Sequence, residues 1–190
     1  GAETRRAVRA FQRELGYDET ASLTPRQTSQ LMCHAAQTAR DPGVQNVLGI
    51  MHSVGLGVVQ NTDLALEWLE MAAVRGDPDA NFNLAVIYGT GAVFGSYRLC
   101  AIVENPERAD AYLRDAADLG HDIARRLRST PELVHAPNSQ VRWARIRQEI
   151  EEEANDTPGR GARAMEILRN AMRARVPPAA AGCLDANASR

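Results

Sequence analysis

The chain has 190 residues and is 44% apolar, enough to bury a real core in one or two domains of roughly 100 to 200 residues. Its net charge of -2, from 22 basic and 24 acidic residues, gives no general attraction to nucleic acid or anionic lipid, so no nucleic-acid partner is expected. Aromatic residues make up 5%, β-branched runs are scarce, and no apolar run approaches the roughly 20 residues that span a bilayer, which leaves an all-α chain with no membrane span.

Thr4 reads as an N-cap ahead of an amphipathic helix with Ala7, Val8, Phe11 and Leu15 on one face, and Gly16 stops it. Leu23-Thr24-Pro25 then opens a second helix, with Thr24 as cap, Pro25 at the first helical position, and Thr28, Leu31 and Met32 facing inward. Gly1, Thr4, Ala7-Val8, Phe11-Gln12, Gly16, Leu23 and Leu31 follow the pattern G..T..AV..FQ...GL...G.L...T...L, with Thr28 one place past its second threonine. In this the stretch resembles the latter part of the small three-helix peptidoglycan-binding domain, with Ala21 where that family has glycine and with the family's first helix falling before Gly1. The resemblance implies peptidoglycan as a partner, through Thr4, Val8, Phe11, Gln12 and Gly16. The alternative is a remnant that covers the open end of a helical stack. The helix from Thr28 to Arg40 is expected to run on into the next module, because Ala35-Ala36 before Asp41-Pro42 echoes Ala72-Ala73 before Asp77-Pro78.

A helix-turn-helix pattern is then written twice. Leu48-Gly49-Ile50-Met51-His52 is answered by Leu84-Ala85-Val86-Ile87-Tyr88, and Ala65, Trp68, Ala72-Ala73 and Gly76 by Ala109, Tyr112, Ala116-Ala117 and Gly120. The second copy carries a longer loop, around 94–103. A repeat of roughly 20 to 50 residues is the mark of stacked units, none of which can bury its apolar face alone. Small residues stand where helices must approach closely, and Gly76 and Gly120 close helices where positive φ is cheapest.

The spacings Leu48-Gly49, Gly55-Leu56-Gly57-Val58, Ala65, Trp68, Ala72-Ala73 and Gly76 follow A....LG..Y..G.GV..D...A..W...AA..G., with Asp63 two places past the pattern's aspartate, and resemble the Sel-one-like repeat, a relative of the tetratricopeptide repeat. His52 replaces the usual tyrosine, Ala85 the second-copy glycine and Tyr112 the second-copy tryptophan. The resemblance implies an all-α, short α-solenoid. Its expected parts are a partial peptidoglycan-binding-like domain (1–32), the repeats (33–128), a C-terminal helical cap (129–176) and a tail of disordered composition (177–190).

After Gly120, 122–128 can start a third first-helix, but Pro131 and Pro137 interrupt the pattern beyond it. A charged helix is expected from Ser139 to Ala154, with Val141, Ala144, Ile146 and Ile150 as its apolar face and Arg145 placed to pair with Glu149. A turn at 156–161 and a worn second-helix copy over Ala164, Ile167, Ala171 and Met172 complete the pattern.

No residue constellation points to catalysis, a metal or a cofactor. The histidines (His34, His52, His121, His135) have no metal-ligand spacing, and Cys33 beside His34 points away from it on a helix. His52, in a tyrosine slot, is expected to pack in the core. Cys33, Cys100 and Cys183 are expected to be ordinary thiols, with a Cys100–Cys183 bridge open in an oxidising compartment. In repeats of this kind the first helices line the concave wall. The resemblance therefore implies a groove of Asn46, Ile50, Ser53, Val54, Asp79, Phe82, Val86 and Thr90, with Ile50, Val54, Phe82 and Val86 as an apolar strip. Such a strip calls for a peptide of another protein or the chain's own C-terminal helix.

The implied function is a non-enzymatic scaffold of the bacterial cell envelope, periplasmic, that localises or assembles a complex near peptidoglycan. Two alternatives stand beside it: a regulatory or substrate-presenting C-terminal segment of a larger enzyme such as a caspase-like peptidase, and an intracellular adaptor.

Overall fold

The computed structural model describes residues 1–55, 58–93, 97–99 and 101–156, and for Pro25, Tyr97 and 150–156 the backbone alone. Nine α-helices occupy these residues: α1 (Ala2–Glu14), α2 (Pro25–His34), α3 (Pro42–Val54), α4 (Thr62–Val74), α5 (Pro78–Thr90), α6 (Pro106–Asp118), α7 (Asp122–Ser129), α8 (Pro131–Val134) and α9 (Ser139–Asp156). One turn of π-helix, Ala35–Ala39, extends α2. A two-residue antiparallel pair, β1 (Ala92–Val93) with β2 (Tyr97–Arg98), sits in the long second loop, where no strand was expected.

The two copies begin and end by the same local chemistry. Each first helix starts on Asp-Pro: Asp41 Oδ1 accepts from the Val44 amide at 2.9 Å and Asp77 Oδ1 from the Ala80 amide at 2.7 Å, with proline at the first helical position, where its missing N–H costs nothing. Each second helix starts on asparagine, Asn61 capping Leu64 at 3.0 Å and Asn105 capping Arg108 at 2.9 Å. Gly55 and Gly91 end the first helices at φ of 73° and 70°. Gly76 and Gly120 turn the chain after the second helices at 81° and 104°.

The helices α3 and α4 pack as one hairpin, α5 and α6 as the next, and α4 against α5 joins them. At the first crossing the backbones come so close that a Cβ on Gly49 would lie 2.5 Å from Leu69 Cγ. The second copy admits Ala85 at this position, fully buried. The central helix is α5, whose last two turns, Leu84 to Thr90, are buried on every side, as expected of a helix with neighbours all round there. Leu69, Leu84, Ile87, Leu113 and Leu127 form the main core, and Ala36, Leu48 and Trp68 a smaller one. Each such large side chain contributes roughly 1.5 to 3 kcal/mol on burial.

The last turns of the α2 segment belong to the repeat core. Ala36 is fully buried with Leu48 and Trp68, as Ala72 is one unit later, and Gln45 Nε2 donates to the Ala36 carbonyl at 3.0 Å. Four expectations need correction. Thr4 lies inside α1, which starts nearly a full turn earlier with Gly1 as its N-cap. On α9, Trp143 and Ile146 are the buried residues, whereas Ala144 is exposed and Val141 half-buried; the side chain of Ile150 lies outside the described residues. Arg145 reaches across to donate to the Glu132 carbonyl instead of pairing along its own helix with Glu149. Cys100 and Cys183 lie outside the described residues, and Cys33 is disulfide-bonded, so the three cysteines are not all free thiols. Its partner lies outside the described residues, as do the expected turn at 156–161, the helix over 164–172 and the tail 177–190.

α9 closes the stack. The Asp110 carboxylate, on α6, accepts from Ser139 Oγ at 2.6 Å, from Trp143 Nε1 at 2.9 Å and from Arg142. Glu104 holds Arg98 at 3.1 Å and Arg147 at 2.9 Å, tying the long loop to the same helix. Burial works against the Glu104 carboxylate, but the hydrogen bonds from Arg98 and Arg147 outweigh it and lower its pKa.

Candidate docking surface

The groove residues fall on α3 and α5, which lie side by side as first helices. Asn46 is half-buried and its Oδ1 accepts from Asn83 Nδ2 at 2.9 Å, a bridge between the two units. Ile50 and Phe82 are partly buried against the main core. Val54 and Val86 are buried, at 3% and 8% exposure, and Ser53 and Thr90 have turned their hydroxyls onto the Ile50 and Val86 carbonyls. Of the strip, Ile50 and Phe82 are therefore the partly exposed members, with Val54 and Val86 as their buried backing.

One face of α5 carries Phe82, Val86 and, one turn further, Gly89. The chain itself covers both ends of this face. Phe82 is stacked on the His121 ring, centroid to centroid 4.2 Å with the planes 17° apart. His121 Nδ1 accepts from the Ala124 amide at 3.2 Å, capping α7, so its proton resides on Nε2, 3.5 Å from Asp79 Oδ1. At the other end the indole of Trp143 lies directly on Gly89.

Behind the strip a cluster locks α4, α5 and α6 together, built on two positions that the repeat pattern marks, Tyr88 and Tyr112, and two that it does not, Glu70 and Arg108. The Arg108 guanidinium sits 4.2 Å above the Tyr88 ring, Tyr88 and Tyr112 stack at 5.9 Å, and Glu70 Oε1 accepts from Arg108 at 2.6 Å and from the Tyr88 hydroxyl at 3.1 Å. Burial, reinforced by the Glu70 charge, pushes the Tyr88 hydroxyl up to about 12. Tyrosines four residues past Leu84 and three past Ala109 were the available signal.

At the N-terminus Thr4 is exposed, Val8 and Phe11 are half-buried, and Gly16 turns the chain at φ 70°. Gln12 is fully buried and works as a staple. Its Nε2 donates to Thr20 Oγ1 at 3.0 Å and the Ser22 carbonyl at 2.9 Å, and its Oε1 accepts from the Ala21 amide at 3.1 Å. Gln27 completes a capping box with Thr24. Ala21 sits at φ 61°, a left-handed conformation, at the position where the peptidoglycan-binding pattern has glycine.

His52 is buried at 1% exposure, with Nδ1 on the Val59 carbonyl at 3.2 Å and Nε2 without a partner. Burial lowers its pKa, against a smaller opposite effect of that carbonyl. Among the described residues no group of three or more His, Cys, Asp or Glu is placed to hold a metal ion, and no helix is long and apolar enough to cross a membrane.

Residues 43–77 and 78–121 each match the family model of the Sel1 repeat. A solved Sel1 repeat protein from Oxalobacter formigenes superposes with a TM-score of 0.51 at 22% identity, over 93% of this chain and 66% of that one, which shows a shared fold. This chain thus spans just under two thirds of that protein. No curated protein sequence matches the chain. The boundaries at 43, 78 and 121 coincide with the Asp-Pro starts of α3 and α5 and with the His121 cap of α7. Residues 43–121 are thus similar to the Sel1 repeat twice over, in two consecutive helical hairpins.

Proposed function

We propose that the chain is a non-enzymatic protein-interaction scaffold of the bacterial cell envelope, which localises or assembles a partner complex near peptidoglycan. Sel1 repeats typically mediate protein–protein interaction. The observation that carries the reading is the pair of neighbouring first helices bridged by Asn46 and Asn83, with Ile50 and Phe82 partly exposed on a rigid backing. A partner peptide engages the α3 side of this strip, because the α7 cap and α9 of the same chain take the flanks of α5. Phe82→Asp, in a protein still folded by circular dichroism, is expected to abolish partner capture; unchanged capture would refute the assignment.

The disulfide at Cys33 supports an oxidising compartment such as the periplasm. The helix-loop-helix of α1 and α2, with Gln12 as its staple and a left-handed residue at Ala21, supports the likeness of 1–32 to a wall-binding unit. Co-sedimentation with purified peptidoglycan sacculi tests this part. Binding by the intact chain, lost in Phe11→Asp and in a chain beginning at Asp41, is the expected result. Equal sedimentation of all three, or of none, would reduce α1 and α2 to an end cap of the repeats.

A further inference from the structure

One side of α1 carries Arg5, Arg6, Arg9 and Arg13, at spacings of three and four residues, and a different side carries Thr4, Val8 and Phe11. A hollow of about 450 Å3, within the roughly 300 to 1,000 Å3 usual for ligand sites, opens between these arginines and the loop that follows the helix. Ala2 and Ala10 complete its lining and are too small to fill it.

The charges of this hollow are not balanced from within. Glu19 is its one carboxylate, and Arg13 holds it by a two-bond fork, Nε donating to Oε1 at 2.8 Å and a terminal nitrogen to Oε2 at 2.7 Å. That hydrogen bonding first, and then the charges of Arg13 and Arg9, keep the Glu19 carboxyl below its ordinary pKa, so Arg9 also faces this carboxylate. Arg5, Arg6 and Arg9 are exposed and make no hydrogen bond or ion pair among the described residues. Like charges three and four places apart on a helix repel one another, and here only the Arg13 end of the stripe is relieved.

Glu19 also shows which anion the stripe accepts, and in what geometry. Arg9 and Arg5 repeat the position of Arg13 one and two turns back along α1, at steps of roughly 6 Å. Alternate side chains of an extended chain recur at roughly 6.6 Å, so carboxylates two residues apart can meet successive arginines as Glu19 meets Arg13.

We propose that this stripe docks an extended acidic segment of another protein, whose carboxylates at alternate residues pair with Arg5 and Arg9, with Arg6 at the edge. Glu19 is the internal competitor for the same stripe at its Arg13 end. The site is separate from Phe11 and Gln12 and from the Ile50–Phe82 strip, and stands whether or not either of those has a ligand.

The test is a titration of the 15N-labelled chain with acetyl-Glu-Ala-Glu-Ala-Glu-amide, acetyl-Gln-Ala-Gln-Ala-Gln-amide and a short oligothymidylate, following the amides of Arg5, Arg9 and Glu19. Saturable shifts with the acidic peptide, about fivefold or more weaker with the glutamine peptide and with the phosphodiester, are expected. The double variant Arg5→Gln/Arg9→Gln, at exposed positions and with a good helix former, is expected to keep the fold and weaken the acidic peptide by about fivefold. Glu19→Gln, which frees Arg13, is expected to tighten it by about twofold or more. Equal shifts from the acidic and glutamine peptides, equal or tighter binding of the oligothymidylate, indifference to the double substitution, unchanged or weaker binding in Glu19→Gln, or no shift with any probe would overturn the proposal.

Discussion

A Cβ placed on Gly89 would lie 2.0 Å from Cε3 of Trp143, so the indole seats on bare backbone and nothing larger than glycine fits beneath it. This contact joins the last helix of the described chain to the central helix of the repeats. Gly89→Ala is expected to destabilise the protein by about 1 to 3 kcal/mol through overpacking, and Trp143→Ala by about 3 to 5 kcal/mol through the cavity it leaves. Because both act on one contact, the double variant should cost clearly less than their sum in denaturant unfolding. Additive costs would show that α9 is not held there.

Asp110 is the second anchor of α9. Asp110→Ala removes the acceptor of Ser139, Arg142 and Trp143 together, and the expected loss is on the order of 2 to 3 kcal/mol, hydrogen bonds to charged groups being the stronger kind. Amide hydrogen exchange should quicken over 139–149 and leave α3 and α4 unchanged. Uniform quickening along the whole chain would mean that α9 and the repeats open as one unit.

His52 makes stability depend on pH. Burial depresses its pKa below the ordinary imidazole value of about 6.5, so the folded state prefers the neutral ring. This stability is fully present above that value and is lost as pH falls through it towards the folded pKa, where the folded protein must bind a proton it disfavours. In His52→Phe the stability slope between pH 5 and 7 should flatten. A slope as steep as in the parent protein would assign the pH dependence to other groups.

Much of the repeat architecture was legible because its signals are local and written twice: Asp-Pro caps, closing glycines, and small residues at the crossings. The N-terminal helices were legible for the same reason, apart from the start of α1, where Thr4 falls in the first turn and nothing in its side chain marks it as internal. The seat of Trp143 was not legible. It depends on a glycine far away in sequence, and helical spacing alone ranked Val141 and Ala144 equally with Ile146. The strip residues lie on α3 and α5, but their exposure depends on long-range packing: Val54 and Val86 are buried, and His121 and Trp143 flank α5. Gln12 stood out as a motif residue, while its work as a buried staple comes from a loop path that periodicity does not encode.

Ala21 offers a gain. At φ 61° an L-residue is disfavoured by roughly 1 to 2 kcal/mol, offset in part by the roughly 0.5 to 1 kcal/mol entropic cost of glycine. Ala21→Gly should therefore raise the stability of the α1–α2 unit by up to about 1 kcal/mol, read as slower proteolysis within residues 1–24. Faster proteolysis would show that the turn is not strained.

The central claim is that the α3 side of the strip receives another protein. A photo-cross-linking amino acid placed at Asn46, compared with one at Val74, which is 87% exposed on α4, tests it most directly in cells that make the protein. The account predicts a discrete adduct from position 46, none from position 74, and loss of the adduct when Phe82→Asp is added to a folded chain. The same adducts from both positions, or an adduct at 46 indifferent to Phe82→Asp, would contradict it.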